Sequence, residues 1–240
     1  MAQKTVWITG ASRGIGAATA RVFAAAGYRV AVGYHKNREK AEALAAELGG
    51  IAVGGDVGDP VQVAKMVDNV LENFCQLDIL VCNAGVAWQG LLSDMTMEEW
   101  RAVMSADLDG VFLCCRAVLP HFIHRKRGKI ITVSSMWGQV GASCEVAYSA
   151  AKAGVIGFTK ALAQEVGPSG ITVNCVAPGL IDTEMNAHLS PEILAELAEE
   201  TPLGRMGRPE DVAAGILFLA SPGADFLTGQ VLSPNGGMVL

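Results

Sequence analysis

The chain has 240 residues, of which 51% are hydrophobic and 18% are charged, and its formal net charge is −6. An apolar fraction this large can bury a sizeable core and excludes an intrinsically disordered chain. The acidic balance argues against a nucleic-acid-binding protein, which would normally present a basic face. The length fits a single domain over residues 1–240.

Short-range patterns exclude three further kinds of protein. The six cysteines form neither a C-x-x-C pair nor a His/Cys cluster with zinc spacing, so we predict no metal site. The amino terminus lacks a charged segment followed by an apolar segment and a cleavage site. No apolar run reaches the roughly 18 residues that a membrane helix needs. We therefore expect a cytoplasmic protein that binds neither nucleic acid nor a membrane.

Apolar runs alternate with helical patterns along the chain. The runs predict strands at 5–9, 30–33, 51–53, 79–82, 130–133, 171–176 and 231–232. The helical patterns lie at 15–26, 36–48, 108–124 and 147–166, with further helices starting at Asp59-Pro60, Thr96, Ser190-Pro191 and Pro209. Strands this apolar are buried on both faces, as in a parallel sheet. The alternation predicts an α/β, doubly wound fold with about seven parallel strands and helices on both faces.

A glycine-rich turn joins the first strand to the first helix, in the spacing G-x-x-x-G-x-G. Its residues are Gly10, Ser12, Arg13, Gly14, Ile15 and Gly16, with Ala11 between them. Glycine allows the backbone to turn sharply and to approach a pyrophosphate closely. The helix amino terminus offers free N–H groups and the positive end of its dipole. We predict that this turn binds a dinucleotide; a tight turn packed for space is the alternative.

Four more motifs follow at strand ends and on one helix. They are Asn83-Ala84-Gly85, Ser135, Tyr148-x-x-x-Lys152, and Pro178-Gly179 with Ile181 and Thr183. In this order, together with the glycine turn, they resemble the short-chain dehydrogenase/reductase family over the whole chain. The resemblance implies a Rossmann-type fold with a cofactor half at about 1–110 and a catalytic and substrate half at about 111–240. It also implies that Thr183 and the Ile181 backbone hold the nicotinamide carboxamide, and that residues 181–205 form a mobile substrate lid.

The pair Tyr148 and Lys152 lies on one helix face, because the two residues are four positions apart. A tyrosine has a pKa near 10, and a nearby ammonium group stabilises the phenolate and lowers that pKa. The resemblance implies that Tyr148 gives a proton to a carbonyl oxygen and that Lys152 tunes Tyr148 and binds the cofactor ribose. It implies further that Ser135 hydrogen-bonds the substrate oxygen. Without the family pattern, the Tyr/Lys pair would be an ordinary surface pair.

Asp107 departs from the family pattern, which usually has asparagine here, and we count it as a fourth catalytic residue. In the family, a water held by the main-chain carbonyl of this residue is thought to relay protons from the lysine. Aspartate can keep a main-chain role. Its side chain brings a negative charge near Lys152, which we expect to weaken the pull of the ammonium on Tyr148 and to shift the pH optimum.

The end of the second strand favours NADP(H) over NAD(H). Tyr34-His35-Lys36 contains no acidic residue, and Glu39 is the first to follow, whereas an NAD site usually has an acid at this point. Arg13 and Arg38, together with the basic residues of that stretch, can surround a 2′-phosphate; a solvated basic helix start is the alternative. Asp56-Val57 matches the adenine-contacting pair of the family, with an ordinary capping aspartate as the alternative.

The carboxy-terminal stretch resembles 3-oxoacyl-(acyl-carrier-protein) reductases in Thr201-Pro202-Leu203-Gly204-Arg205 and Asn235-Gly236-Gly237. Those enzymes reduce a β-keto thioester in fatty-acid synthesis and form tetramers. The resemblance implies a carrier-bound keto substrate and a homotetramer, packed through the helices at 108–124 and 147–166. The basic residues 124–127 could dock an acidic carrier protein; a solvated helix end is an equal alternative.

The loop between Ser135 and Tyr148 indicates a different substrate. Its Trp137-Gly138 and its Gly-Ala-Ser-Cys-Glu-Val stretch at 141–146 resemble a subgroup that reduces a 5-aminopentanone group on a lysine of elongation factor P. Trp137 could offer a cation–π face to the amine and Glu145 a counter-charge. Alternatively, Trp137 packs in the core and Glu145 faces a neighbouring subunit. A third hypothesis is a non-catalytic NADP-binding sensor or scaffold. The presence of Ser135, Tyr148 and Lys152 disfavours it.

Overall fold

The computed structural model describes residues 3–186 and 190–239. Seven parallel strands form one sheet in the order β3-β2-β1-β4-β5-β6-β7, which confirms the predicted doubly wound α/β fold. The strands are β1 Thr5–Ile8, β2 Arg29–Tyr34, β3 Ile51–Gly54, β4 Ile79–Cys82, β5 Gly128–Val133, β6 Ile171–Val176 and β7 Val231–Leu232. The strand order reverses between β1 and β4, and in such sheets ligands bind at the carboxyl ends of the strands at this point.

Helices cover both faces of the sheet. They are α1 Gly14–Ala25, α2 Arg38–Leu48, α3 Pro60–Phe74, α4 Met97–Met104, α5 Gly110–Arg125, α6 Trp137–Val140, α7 Val146–Val166, α8 Pro191–Glu200 and α9 Pro209–Ala220. In β1, Val6 and Ile8 pack with residues of α1, α2 and α9, whereas Trp7 packs with residues of α3, α5 and α7. This alternation follows from the strand geometry, in which successive side chains point to opposite faces.

Two helix starts are fixed by caps that the sequence predicted. The Asp59 carboxylate accepts hydrogen bonds from the backbone N–H groups of Val61 and Gln62, and Pro60 is the first residue of α3. Thr96 and Glu99 form a capping box at the start of α4, each side chain bonding the other's backbone N–H. Caps of this kind stabilise a helix by about 1 kcal/mol.

The helix predicted at 108–124 begins two residues later in the structure, at Gly110. Helices α4 and α5 are joined without a break by a π-helical turn, Ser105–Asp109, which contains Asp107. A π turn accommodates one extra residue and is often found at functional sites. Helix α6 was not predicted, because its four residues are too few to show a helical period.

The predicted lid region at 181–205 begins with a backbone bridge between Ile181 and Gly207 and contains α8. Residues 187–189 of this region lie outside the described residues. Within the described part of the chain, no helix is both long and apolar enough to cross a membrane. The same residues contain no cluster of three or more His, Cys, Asp or Glu side chains suited to a metal ion.

Candidate active site

A cleft of about 1270 Å³ opens at the carboxyl ends of the strands. Apart from Arg38, which was considered for the 2′-phosphate, all the residues that the sequence predicted for the site line it. The predicted catalytic and substrate residues there are Asp107, Ser135, Trp137, Glu145, Tyr148 and Lys152. The predicted cofactor residues there are Gly10, Ser12, Arg13, Gly14, Ile15, Gly16, Tyr34, His35, Lys36, Asp56, Val57, Asn83, Ala84, Gly85, Pro178, Gly179, Ile181 and Thr183, together with Tyr148 and Lys152. The structure thus brings together residues that are more than 170 positions apart in sequence.

The glycine turn is packed against the end of β4. Gly10 has a φ of +62°, and a Cβ on it would lie 2.8 Å from the Cα of Ala84. The Asn83 amide donates hydrogen bonds to the carbonyl oxygens of Thr9 and Gly10, both at 3.0 Å. A Cβ on Gly16 would overlap the Gly10 carbonyl oxygen. Glycine is therefore required here by packing within the protein as well as by its backbone conformation.

The amino terminus of α1 suits a phosphate group. Arg13 precedes the helix without a side-chain cap, and the first turn contains no acidic residue. The first N–H groups of a helix have no intrahelical partner and attract anions. Together with the glycine turn, these N–H groups form a cradle that side chains in place of the glycines would partly fill. The residues present therefore fit a pyrophosphate-containing cofactor.

The residues beyond β2 and β3 are arranged around polar contacts. His35 Nε2 lies 4.0 Å from Asp56 Oδ2. Asp56 Oδ1 accepts a hydrogen bond from the Gly58 N–H within the loop, whereas Asp59 caps α3, so Asp56 is not the capping aspartate considered as the alternative. Arg38 pairs with Glu42 one helical turn away, which is the solvated arrangement considered as its alternative.

Arg13 pairs with a residue that sequence reasoning missed. Its Nη1 lies 2.8 Å from Glu184 Oε2, and Lys40 Nζ lies 3.1 Å from Glu184 Oε1. The sequence separates Glu184 from Lys40 by 144 positions, and no local pattern links them. Their proximity follows only from the tertiary fold.

The catalytic candidates meet at the floor of the cleft. Lys152 Nζ lies 3.0 Å from Asp107 Oδ2 and donates a hydrogen bond to the Val133 carbonyl oxygen at 3.2 Å. It also lies 5.5 Å from the centre of the Tyr148 ring. Ser135, at the end of β5, interacts with Tyr148 and accepts a hydrogen bond from the Trp137 N–H. The predicted grouping of these residues is thus present in the structure.

Asp107 is fully buried, and its two carboxylate oxygens have different neighbours. Oδ1 accepts a hydrogen bond from the Val86 N–H at 2.8 Å, while Oδ2 faces Lys152. A Cβ on Gly85 would lie 2.8 Å from Asp107 Oδ2 and 3.2 Å from Lys152 Nζ. The glycine of the Asn83-Ala84-Gly85 motif therefore leaves room for this ion pair.

The pKa of Tyr148 is raised above its ordinary value, although Lys152 lowers it as the sequence predicted. Desolvation of the phenol in the cleft is the main cause of the increase. The Lys152 ammonium and the hydrogen bond with Ser135 lower the pKa, while the carboxylates of Asp107 and Glu145 raise it further. Desolvation thus outweighs the neighbouring ammonium. Asp107 acts in the direction expected from its charge.

The pKa of Lys152 is also raised. Burial lowers this pKa, but the negative charge of Asp107, the nearby Tyr148 and the hydrogen bond to Asp107 together exceed that effect. A lysine with a raised pKa keeps its proton throughout the neutral range. Lys152 is therefore a permanent positive charge under the reacting position.

The predicted docking residues 124–127 lie at the other end of the sheet, because they precede β5 and the cleft follows it. Arg125 and Arg127 both pair with Asp78, at 3.1 Å and 3.4 Å. The Asp78 carboxylate also accepts the Thr5 N–H. Arg125 is thus held in a largely buried ion pair, which fits neither carrier docking nor the solvated helix end considered as the alternative for this residue.

The cleft and the grouping of Ser135, Tyr148 and Lys152 agree with a comparison against protein families. The family model described as "Enoyl-(Acyl carrier protein) reductase" matches residues 10–239. The chain belongs to the short-chain dehydrogenase/reductase family and is an oxidoreductase acting on a keto or hydroxyl group.

Curated proteins resemble it over nearly their full length. A 3-oxoacyl-(acyl-carrier-protein) reductase of Synechocystis sp. is 45% identical over 239 residues, covering 97% of this chain and 96% of the relative. Relatives of the same name from Staphylococcus aureus and Chlamydia trachomatis, both designated FabG, are each 42% identical and cover 99% of this chain and 98% of the relative.

Proposed function

We propose that this protein is an NADPH-dependent reductase that transfers hydride to the keto group of a carrier-bound 3-oxoacyl thioester. The observation that carries the proposal is the grouping of Ser135, Tyr148 and the Lys152–Asp107 pair at the end of a cleft that begins at the glycine cradle. The names of its relatives support the same substrate class. We further propose that residues 1–240 act as one domain, with a cofactor half at about 1–110 and a catalytic half at about 111–240, in the cytoplasm.

The cofactor contacts follow from the positions of the lining residues. The glycine turn and the amino terminus of α1 would hold the pyrophosphate, and Asp56-Val57, which lines the same cleft, would contact the adenine. Arg13 and Tyr34-His35-Lys36 would bind the adenosine 2′-phosphate. The nicotinamide half would be held by Asn83-Ala84-Gly85, Tyr148, Lys152, Pro178-Gly179, Ile181 and Thr183, which also line the cleft. When bound, the nicotinamide supplies the hydride.

Side chains of this protein supply the proton and stabilise the negative charge that develops on the substrate oxygen. The Ser135 and Tyr148 hydroxyl groups both donate hydrogen bonds to the substrate carbonyl oxygen, and Tyr148 transfers its proton to that oxygen. Because the pKa of Tyr148 is raised, the phenol carries this proton at neutral pH. A protonated phenol is the form that carbonyl reduction needs, whereas oxidation of the alcohol needs the phenolate. The raised pKa of Tyr148 therefore supports its proposed role as the proton donor in carbonyl reduction.

The experiment measures the initial rate of NADPH oxidation with an acetoacetyl thioester on purified protein. We expect turnover with this substrate and none with a crotonyl thioester, which offers a C=C bond in place of the keto group. Turnover lost in Tyr148→Phe would support the proposed chemistry. No turnover despite tight NADPH binding would overturn the proposed substrate, and unchanged turnover in Tyr148→Phe would overturn the proposed role of Tyr148. A non-catalytic sensor or scaffold would show binding without turnover of any ketone.

A second candidate substrate is the 5-aminopentanone group on elongation factor P. The favouring observation is that the Glu145 carboxylate lies close enough to Tyr148 to raise its pKa, which places a negative charge near the reacting position. Trp137 lines the same cleft and offers an aromatic face. We expect Glu145→Gln to reduce kcat/KM for an amine-bearing ketone and to spare a neutral ketone of equal length. An equal loss with both ketones would contradict this candidate.

We also propose that the protein forms a homotetramer, as the resemblance implies. Helix α5 exposes Phe112 and Ile123, and the start of α7 exposes Val146. Apolar side chains on helix faces favour contact with another copy of the chain. Light scattering coupled to size-exclusion chromatography tests this proposal, and a monomer at micromolar concentration would contradict it.

A further inference from the structure

The Glu184 carboxylate connects the segment that follows β6 to the glycine turn and to α2. Glu184 follows Thr183 directly and begins a short helical turn, Glu184–Asn186. Its two oxygens face different cations: Oε2 lies 2.8 Å from Arg13 Nη1, and Oε1 lies 3.1 Å from Lys40 Nζ. Arg13 belongs to the glycine turn, and Lys40 lies in α2.

These two cations form an anion site that a ligand can reach. The side chains of Arg13, Lys40 and Glu184 are 54%, 58% and 50% exposed. Arg13 and Glu184 line the main cleft, and all three residues line an adjoining groove between α1 and α2. A guanidinium and an ammonium group that share one anion are also suited to a phosphate.

The neighbouring basic residue is already paired elsewhere. Arg38 Nε lies 2.7 Å from Glu42 Oε1 within α2. Lys40 instead points toward the glycine turn, as its contact with Glu184 shows. Lys40 is therefore placed to share an anion with Arg13, although the sequence patterns did not single it out.

We propose that Glu184 occupies an anion site that Arg13 and Lys40 otherwise provide for the 2′-phosphate of NADP(H), so that carboxylate and phosphate compete for the same two cations. This inference rests on the proposed preference for NADP(H). It makes Lys40 a specificity-determining residue and Glu184 a competitor that lowers cofactor affinity.

Charge decides the direction of this competition. A phosphate monoester carries a charge of about −1.5 to −2 at neutral pH, against −1 for a carboxylate. Exposed ion pairs contribute little net stability, so exchanging one anion for the other costs little. Binding of the phosphate therefore releases Glu184 and the turn that it begins from the cofactor half.

The test compares two nucleotides that differ only at the 2′ position. Isothermal titration calorimetry measures the Kd of adenosine 2′,5′-bisphosphate and of adenosine 5′-monophosphate on the full chain. We expect Glu184→Gln to tighten the bisphosphate by roughly three- to fivefold, the upper part of the range that loss of one exposed competing charge allows. Lys40→Gln is expected to weaken the bisphosphate by a similar factor. Neither substitution should move the Kd of the monophosphate by more than about twofold.

Glu47→Gln is the matched control. Glu47 is 52% exposed and pairs with Arg21 across the same two helices, so its substitution makes the same change in charge without touching Arg13 or Lys40. We expect it to leave both Kd values within about twofold of the parent protein. A gain equal to that of Glu184→Gln would show a general charge effect and overturn the inference.

A second readout follows the released turn. Hydrogen exchange of the Asn186 amide, which donates to the Thr183 carbonyl oxygen, should accelerate when the bisphosphate is added and stay unchanged with the monophosphate. In Glu184→Gln this amide should exchange fast before any ligand is added.

The outcomes separate the two proposals. If the parent protein binds the bisphosphate no better than the monophosphate, the NADP(H) preference is wrong and the inference fails with it. If the parent protein prefers the bisphosphate but Glu184→Gln weakens it or leaves it unchanged, Glu184 does not compete, and the preference for NADP(H) stands.

Discussion

Asp107 Oδ2 lies 3.0 Å from Lys152 Nζ, and both side chains are buried beneath the position where the reaction is proposed to occur. The carboxylate raises the pKa of Lys152 and also that of Tyr148. Asp107 thus stabilises the protonated form of Lys152. It also opposes the lowering of the Tyr148 pKa by the Lys152 ammonium group.

Asp107→Asn should lower the pKa of Tyr148, because it removes a nearby negative charge. The phenol then loses its proton at a lower pH, so the rate of reduction should decline at a lower pH and the rate of alcohol oxidation should begin to rise at a lower pH. The measurement is kcat/KM against pH in both directions. Asp109→Asn, the same change on the exposed side of the π turn, is the control. Unchanged profiles, or a shift to higher pH, would contradict the electrostatic role of Asp107.

Tyr148→Phe should reduce kcat by about 10²- to 10⁴-fold, the usual contribution of a positioned proton donor. Cofactor affinity should change little, since the ring remains in place. Tyr28→Phe is the matched control: its ring packs against Phe23 and lies outside the cleft lining. Steady-state kinetics and cofactor titration check both variants. Similar losses in the two would point to packing as the cause.

Gly10→Ala should destabilise the fold more than Gly49→Ala, although both glycines have a φ of +62°. Alanine in this conformation costs about 1–2 kcal/mol at either position. At Gly10 the added methyl group also meets the Ala84 Cα at 2.8 Å, whereas nothing lies within 4 Å at Gly49. Urea denaturation gives the difference in the free energy of unfolding, and cofactor binding should be lost only in Gly10→Ala. Equal effects would refute the packing argument.

Arg125→Ala should destabilise the protein far more than Arg127→Ala. Arg125 is 17% exposed and pairs with the buried Asp78, so its loss leaves this carboxylate with only the exposed Arg127 as a cationic partner. We expect a cost of about 3 kcal/mol, the lower end of the range for breaking a buried ion pair. Arg127 pairs with the same carboxylate but is 62% exposed, for which about 0–1 kcal/mol is typical. Urea denaturation at constant pH compares the two. A larger loss in Arg127→Ala would reverse this assignment.

The sequence predicted most of the fold because its strands are short apolar runs bounded by turn residues. The bounds of β4, β6 and β7 agree with the prediction, and β1 ends one residue earlier. Thr9, the residue left out, uses its hydroxyl to accept hydrogen bonds from the Asn83 and Ala84 N–H groups. The π-helical turn could not be predicted, since one extra residue leaves no visible change of period.

The candidate site was predictable where spacing fixes geometry. Tyr148 and Lys152 share a helix face by their separation alone. The pair of Glu184 with Arg13 joins distant parts of the chain, and the direction of the Tyr148 pKa depends on desolvation. Neither property is encoded in a local pattern, so each required the tertiary structure.

The contact between Gly10 and Ala84 fixes how the cleft can adapt. The turn proposed to carry the cofactor and the segment leading toward Asp107 meet without space between them, so neither can shift without the other. The turn proposed to hold the pyrophosphate and the Asn83-Ala84-Gly85 segment beside the Lys152–Asp107 pair therefore form one packed unit. Trp137 and Ile193 line the same cleft outside this packed unit, so differences in substrate size are expected to be accommodated there.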